Sequence, residues 1–284
     1  MEAGKREAQI IGTLFESATG QQLGEERSWR IGTTLTPLCK ARDIGSLAAL
    51  VARLEEGRDE PLRTAVVDAL LNNETSFFRD AAAFRQLADE ILPELARQRA
   101  HTKRLRIWSA ACSTGQEAYS LAMLFAQDAV RWRDWTIDIL GTDISRSAVA
   151  RARAGLYSAF EVQRGLPVRQ LVAGFNPVLD RGWQIRPELA RMVRFGHHDL
   201  LAASPAGSAF DLILCRNALL YFTSDRRRRV LEGLAGAIAA DGALMLGAGE
   251  TPGDAGSFVA DPRLLTIFRP TALMAKVPPR PRAA

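Results

Sequence analysis

Four segments place chemistry-bearing side chains where a fold presents them to a ligand. Leu105-Arg106-Ile107-Trp108-Ser109-Ala110-Ala111 is an apolar run that gives way to Cys112-Ser113-Thr114-Gly115-Gln116-Glu117 and then to a helical pattern. Small residues between a strand and a helix let a ligand approach the backbone closely, beside a helix N-terminus. An ordinary tight strand–helix turn has the same composition. Only Gly115 is present, so the dinucleotide pattern GxGxxG is absent and a nicotinamide enzyme is disfavoured. A second apolar run ends Leu140-Gly141-Thr142-Asp143-Ile144-Ser145. An acid at that place either accepts hydrogen bonds from both ribose hydroxyls of a nucleoside or caps the next helix. Taken with the first turn, the nucleoside reading gains. A later run, Phe210-Asp211-Leu212-Ile213-Leu214-Cys215, is followed directly by Arg216 and Asn217. Those two therefore project from the carboxyl rim, where open α/β sheets bind ligands. Tyr221 follows Asn217 by one turn if the segment is helical. Finally, Asn72-Asn73-Glu74-Thr75-Ser76-Phe77-Phe78-Arg79-Asp80 mixes polar and aromatic residues. Read as a linker with a capped helix restart at Thr75 or Ser76, it leaves Arg79 unexplained.

The elements that position these residues are legible from periodicity. Residues 1 to about 90 are helical in pattern: Gln9 to Thr19, Ile44 to Leu54 with Ile44, Leu47, Ala48 and Val51 on one face, then Val66, Val67, Leu70 and Leu71. From Arg104, short Ile/Val/Leu-rich runs (Leu105–Ala110, Ile137–Gly141, Val193–Gly196, Phe210–Cys215, Ala243–Leu246) alternate with helical stretches (Glu117–Val130, Arg146–Ala154, Arg226–Ala239). This alternation predicts βαβ units and a mostly parallel sheet covered on both faces. Leu264–Phe268 and Ala272–Val277 are split only by Arg269-Pro270-Thr271, a link that predicts an antiparallel hairpin. Gly155 to Met192 is too long for a bare connection and predicts a small subdomain. The expected organisation is a helical domain over 1–80, a linker helix over 81–103, an α/β domain over 104–277 with an insertion over about 156–191, and a disordered tail over 278–284.

The chain has 284 residues, 47% apolar and 24% charged, which excludes disordered and collagenous classes. Cys39, Cys112 and Cys215 are dispersed and odd in number, as expected of buried thiols in a reducing compartment. His101, His197 and His198 form no metal set with them. A net charge of +5 raises nucleic acid or an acidic protein as partner. It divides as −3 over residues 1–80 and +8 over the rest. Arg226-Arg227-Arg228-Arg229 is a solvated helix start or, alternatively, a nucleic-acid patch. No signal peptide or membrane-spanning run is visible, so the expected location is cytoplasmic.

Three blocks together resemble the CheR family, the S-adenosylmethionine-dependent protein-glutamate methyltransferases of bacterial chemotaxis: Asn73-Glu74-Thr75-Ser76-Phe77-Phe78-Arg79, the run from Trp108 through Thr114-Gly115-Gln116-Glu117-Ala118-Tyr119 to Ser120, and Cys215-Arg216-Asn217-Ala218-Leu219-Leu220-Tyr221-Phe222. Their order and spacing agree, and the resemblance covers roughly Ile10 to Val277. It implies a small all-α N-terminal domain joined to a Rossmann-like class I methyltransferase domain with a final antiparallel strand and an inserted β-subdomain. It implies S-adenosyl-L-methionine as cofactor, S-adenosyl-L-homocysteine as product, and the helical cytoplasmic domain of a chemoreceptor as partner, with no nucleic acid, no membrane insertion and no metal.

The same resemblance assigns Asn73, Thr75, Arg79, Glu117, Asp143 (to ribose), Asp199 and Leu200 (beside adenine), Arg216 and Asn217 to the cofactor. It places Tyr221 near the transferred methyl, and Arg79 is expected to orient the incoming carboxylate by charge-assisted hydrogen bonds. Gln116, Ala118 and Asp199 depart from the family's usual Glu, Pro and Asn; the last loses an amide donor for adenine. Some members dock a receptor's C-terminal pentapeptide on the β-subdomain through a Gly-containing loop insertion. Phe175–Trp183 lacks the extra residues, so a member without that tether is expected. Members also present a basic helix to the receptor, for which only Arg27, Arg30, Lys40 and Arg42 are available, offset by Glu25, Glu26 and Asp43. The rival readings are a class I methyltransferase for a small molecule or nucleic acid, and a non-catalytic S-adenosylmethionine-binding receptor adaptor. Absent base-stacking aromatics beside the basic clusters disfavour nucleic acid, and the intact Arg79, Glu117, Asp143, Asn217 and Tyr221 set disfavours the adaptor.

Overall fold

The computed structural model describes residues 4–23, 29–205, 207 and 209–271. The chain divides into two units, Met1–Asn73 with Tyr221–Arg227, and Glu74–Leu220 with Arg228–Ala284. The first unit is built from α1 (Lys5–Thr19), α2 (Trp29–Ala41), α3 (Leu47–Glu55) and α4 (Glu60–Leu70). Apolar residues at three- and four-residue spacing are buried on each: Ile11 and Phe15, Ile31 and Leu35, Leu47 and Leu50, Leu62 and Val66. Ser46 and Asp59 cap α3 and α4, their side chains accepting the N–H of Ala49 at 3.1 Å and of Leu62 at 2.9 Å. α1 ends at Gly20, whose φ of 70° sets the left-handed stop. Residues 221–227 join this unit through a Gln21–Phe222 bridge and through Arg226, which donates to Glu16 Oε1 at 2.6 Å and to the Gly20 carbonyl at 2.9 Å.

The second unit opens with α5 (Ala81–Gln86), a π-helical turn (Leu87–Ile91) and α6 (Leu92–Gln98). Pro93 has no N–H to donate, and the helix widens just ahead of it, the Leu92 N–H reaching back to Leu87. The strands are β1 (Arg104–Ala110), β2 (Thr136–Asp143), β3 (Leu156–Tyr157), β4 (Phe175–Val178), β5 (Gly182–Ile185), β6 (Val193–His197), β7 (Phe210–Cys215), β8 (Ile238–Leu246), β9 (Phe258–Ala260) and β10 (Ile267–Pro270). The seven-stranded sheet runs β6-β2-β1-β7-β8-β10-β9. It is parallel except at β10, which is antiparallel to both β8 and β9. Crossover helices are α7 (Gln116–Gln127), α8 (Arg146–Ala154) and α12 (Ser224–Ala237), with short α9 (Ala159–Gln163), α10 (Val168–Gly174) and α11 (Pro187–Ala190) in the insertion. That insertion carries the three-stranded antiparallel sheet β3-β5-β4.

Three sequence expectations change here. The antiparallel hairpin is β9–β10, and Arg269 and Pro270 lie inside β10 instead of forming a turn. Arg269 is buried and donates to Asp261 Oδ2 at 3.2 Å and Glu94 Oε2 at 2.9 Å, partners that a solvent-exposed turn would not offer. Ala272–Val277, and the tail 278–284, lie outside the described residues. The α12 helix ends at Ala237, because Ile238 and Ala239 already pair as strand. The division into units falls at Asn73/Glu74 instead of near residue 80: Phe77, Phe78, Phe84, Leu87 and Leu95 all bury in the core of the second unit.

Aromatic packing and the Tyr157 phenol fasten the insertion to the segment before α5 and to the β1–α7 turn, and the Tyr119 phenol ties α7 to α8. Phe77 meets Tyr157 and Phe175 edge-on at 5.1 and 5.4 Å. Tyr157 donates to the Thr114 carbonyl at 2.7 Å and Tyr119 to the Ala152 carbonyl at 2.9 Å. Burial pushes the Tyr119 phenol up to about 12, so it stays a neutral donor. The β4–β5 turn is tight, with Arg181 N–H on the Val178 carbonyl at 3.0 Å and Asp180 and Gly182 at positive φ.

At the amino ends of the strands, Arg99 donates to Asp211 at 2.6 Å and, through two nitrogens, to Asp241 at 2.7 and 2.6 Å; Asp211 also accepts the Arg106 N–H at 2.8 Å. Arg99→Ala leaves the buried Asp211 carboxylate short of its cation, and a loss of about 3 kcal/mol is expected, read as a lower urea midpoint at pH 7. Arg99 hydrogen bonds hold Asp241 below the usual carboxylate range. A depressed folded value means that this stabilisation is complete above the unfolded carboxylate value of about 3.9 and is lost as pH falls through the lower folded value. The stability difference between wild type and variant therefore narrows in acid. An unchanged midpoint at pH 7 would refute the role.

Candidate active site

The site is assembled at the carboxyl ends of β1, β2, β6, β7 and β8. The β1–α7 turn holds Ala111 at φ 60°, Ser113 at 51° and Gly115 at 94°. L-residues in that region are strained and persist where surrounding structure fixes them. Gly115 has a second constraint, since a Cβ there would sit 2.9 Å from Ala152 Cβ. The chain closes on itself through Cys112 N–H to the Thr142 carbonyl at 2.9 Å, and Ser113 N–H to Asp143 Oδ2 at 2.8 Å. The other Asp143 oxygen accepts the Ser145 N–H at 2.9 Å. Capping of α8 falls to Ser145, whose hydroxyl accepts the Ala148 N–H at 3.0 Å. Asp143 thus holds the turn.

Beside it, His198 donates its backbone N–H to the Asp143 carbonyl at 3.0 Å, and its ring packs against Trp108 at 5.6 Å. His198 Nε2 is buried and meets no protein partner among the described residues. Burial lowers its pKa, so the imidazole is neutral at physiological pH. Asp199 and Leu200 follow, both half-buried, with Asp199 Oδ1 accepting the Leu201 N–H at 2.9 Å.

Arg216 turns inward. Its side chain is 2% exposed and donates to Glu117 Oε2 at 3.2 Å, Asp80 Oδ2 at 2.5 Å and the Arg79 carbonyl at 2.9 Å, with the Phe84 ring 5.5 Å away. The other Glu117 oxygen accepts from Ser109 at 2.8 Å. Glu117, Arg79 and Arg216 are therefore one network, in which Arg216 is a tie. The Arg79 side chain, half-buried, donates to the Glu74 carbonyl at 3.1 Å. Glu74 also pairs with Arg164 of the insertion, whose hydrogen bond holds the Glu74 carboxyl below its usual range. Thr75 is half-buried in the same irregular segment. Asn217 sits at φ 57° after β7. Asn73 and Tyr221 belong to the helical unit, where Tyr221 ends a 3₁₀ turn and its hydroxyl accepts from Asn72 Nδ2 at 2.6 Å. Cys112 and Cys215 are fully buried, and burial pushes both thiols far up, which removes them as nucleophiles.

Two acids escaped the sequence reading. Asp80, the second partner of Arg216, was adjacent to a singled-out Arg79. Glu250 accepts the N–H groups of Asn217 at 2.7 Å, Leu219 at 3.0 Å and Gly247 at 2.9 Å. The signal for it existed: Gly247-Ala248-Gly249-Glu250 closes an apolar run with small residues and an acid, much as Gly141-Thr142-Asp143 does.

The donor set fits an adenosine cofactor bearing a cationic centre. A strand-end carboxylate faces the turn, a buried imidazole nitrogen without a protein partner among the described residues lies beside it, and the Arg216 guanidinium is paired with acids. A family profile described as "CheR methyltransferase, SAM binding domain" matches residues 73–257. Chemotaxis protein methyltransferase 1 of Vibrio cholerae serotype O1 is 36% identical over 240 residues, covering 84% of this chain and 86% of its own. Chemotaxis protein methyltransferase 1 of Pseudomonas aeruginosa is 35% identical over 253 residues, covering 88% and 92%. The chemotaxis protein methyltransferase of Borreliella burgdorferi is 30% identical over 236 residues, covering 82% and 83%.

If Asp143 holds ribose, Asp143→Ala weakens S-adenosylhomocysteine binding by about tenfold or more, the worth of a charge-assisted hydrogen bond. Isothermal calorimetry measures this, and an unaltered Kd removes Asp143 from the cofactor.

Proposed function

The chain belongs to the CheR methyltransferase family, and we propose that it transfers the methyl group of S-adenosylmethionine to glutamate side chains in the cytoplasmic helices of a chemoreceptor. The observation that carries this reading is the family match from residue 73 to 257, which spans all three sequence blocks and the whole parallel part of the sheet. Among the described residues no helix is long and apolar enough to cross a membrane, and we place the reaction in the cytoplasm, where the receptor's methylated helices lie.

Bound S-adenosylmethionine supplies an electrophilic methyl on a sulfonium. The receptor glutamate, with a pKa of about 4.3, is already ionised at neutral pH, so no general base is required. A carboxylate oxygen forms the new C–O bond as the C–S bond breaks, giving a methyl ester and S-adenosylhomocysteine. The work left to the protein is alignment and partial exclusion of water. Asp143, Asn217 and the β1–α7 turn are assigned to holding the nucleoside. Arg79 is assigned to orienting the incoming carboxylate by a charge-assisted hydrogen bond. Its existing bond to the Glu74 carbonyl restrains it from binding the nucleophile too strongly. Tyr221, whose hydroxyl accepts from Asn72, is the second group assigned to the methyl-transfer step.

Incubation with labelled cofactor and receptor cytoplasmic domains, followed by alkaline treatment, tests this reading. Receptor-dependent label released by alkali is expected, because esters hydrolyse there. Base-stable label would instead mean N-methylation, and none would mean an adaptor. Arg79→Ala is expected to lower kcat by about a hundredfold while changing the Kd of S-adenosylhomocysteine by less than about threefold; the reverse pattern would reassign Arg79 to the cofactor. The compact β4–β5 turn supports a member that works without a pentapeptide tether. A receptor C-terminal pentapeptide is then expected to give no binding in calorimetry, and a measurable Kd overturns that choice.

A further inference from the structure

Glu250 belongs to no block that carries the family resemblance, yet three backbone N–H groups converge on it. Oε2 accepts from Asn217 at 2.7 Å and from Gly247 at 2.9 Å, and Oε1 accepts from Leu219 at 3.0 Å. Those groups come from the ends of two neighbouring strands, β7 and β8. The site of Gly247 is shaped to this carboxylate, because a Cβ there would lie 2.7 Å from Glu250 Oε2 and 2.8 Å from the Asn217 nitrogen.

The same device occurs once more on the rim. Ser113, after β1, is a non-glycine residue at φ 51°, and its N–H is held by Asp143 at the end of the neighbouring strand β2. Asn217, after β7, is a non-glycine residue at φ 57°, and its N–H is held by Glu250 beyond the end of the neighbouring strand β8. In both places a carboxylate from an adjacent strand end satisfies a left-handed residue that would otherwise be strained. We propose that Glu250 is a positioning residue of the methyl-transfer site: by accepting three N–H groups, it fixes Asn217 in the left-handed conformation in which its side chain serves the cofactor. Glu250 itself does not touch the cofactor. The proposal rests on the assignment of Asn217 to S-adenosylmethionine.

The full chain carrying Glu250→Gln, Asn217→Ala or both tests it, with S-adenosylhomocysteine as the calorimetric probe. The amide keeps one acceptor oxygen and turns an NH2 toward backbone donors, so the clasp opens with little change of volume. Glu250→Gln is expected to raise the Kd about tenfold and to raise KM for S-adenosylmethionine by a similar factor. KM for the receptor domain stays within about twofold. Because Glu250 acts through Asn217, the double variant is expected to bind no more weakly than Asn217→Ala alone, a non-additivity that a merely structural role would not produce. Wild-type affinity in Glu250→Gln, with Asn217→Ala weakened, overturns the role of Glu250 and leaves the site reading intact. Wild-type affinity in Asn217→Ala overturns the assignment of Asn217 and the proposal with it. Additive losses overturn coupling through Asn217. Should Glu250→Gln fail to fold, Gly247→Ala, which displaces the carboxylate by collision, is read in the same way; unchanged affinity there also overturns the proposal.

Discussion

A single buried cation organises the second unit's functional end. Arg216 has a side chain only 2% exposed, and moving a guanidinium out of water costs several kcal/mol unless partners replace the lost hydration. Its partners come from two separate places: Asp80 and the Arg79 carbonyl from the segment before α5, and Glu117 from the first turn of α7. With the segment that carries Arg216 itself, these link the three blocks that stand out in the sequence. Their co-occurrence has a physical reason, because the Arg216 guanidinium is not tolerable at this burial without acids to accept from it. Arg79 is positioned indirectly, through its own backbone, with Phe78 and Asp80 on either side at positive φ. The strain of that turn is offset by the ion pair it delivers.

The rest of the rim follows a related rule. Strand ends leave N–H groups without a ladder partner, and the left-handed residues needed to turn the chain add to them. Here carboxylates from neighbouring strands accept those groups, Asp143 for Ser113 and Glu250 for Asn217. An acid anchored by several backbone donors is fixed in place, and it fixes in turn the strand-end residues whose N–H groups it accepts. The amino-end rim uses the opposite arrangement, with side-chain pairs between Arg99, Asp211 and Asp241, and serves stability.

How much of this was legible in the sequence depends on whether the deciding partner lay nearby in the chain. The parallel strands were, because β7 is a fully buried run and β1 a mostly buried one, both bounded by turns. The small antiparallel sheet of the insertion was anticipated only as a segment too long to be a bare loop. Asp143 remained two-valued until the structure showed that Ser145 does the capping. Arg216 read as a residue projecting into the site, since its chain neighbours say nothing of Asp80 and Glu117, distant in sequence. Arg269-Pro270 was read as a link for a like reason: it has turn composition, but Asp261 and Glu94 bury Arg269 as strand. The unit boundary shifted because Phe77 and Phe78 sit among polar residues in sequence, and only packing against Tyr157, Phe175 and Phe84 reveals them as core.

The chemistry accounts for why the site is built from ties. A carboxylate nucleophile needs no deprotonation and a methyl sulfonium needs no acid, so a titrating group at the reacting atoms would add nothing to the rate. Consistently, burial lowers the pKa of His198 and pushes those of Cys112 and Cys215 up, away from neutral pH. What limits such a reaction is the geometry of an in-line approach, where a misplacement of about 1 Å costs about a hundredfold in rate. A protein facing that constraint gains most from fixing backbone. It does so with acids that accept several N–H groups at once, and with one arginine held by two acids and a carbonyl.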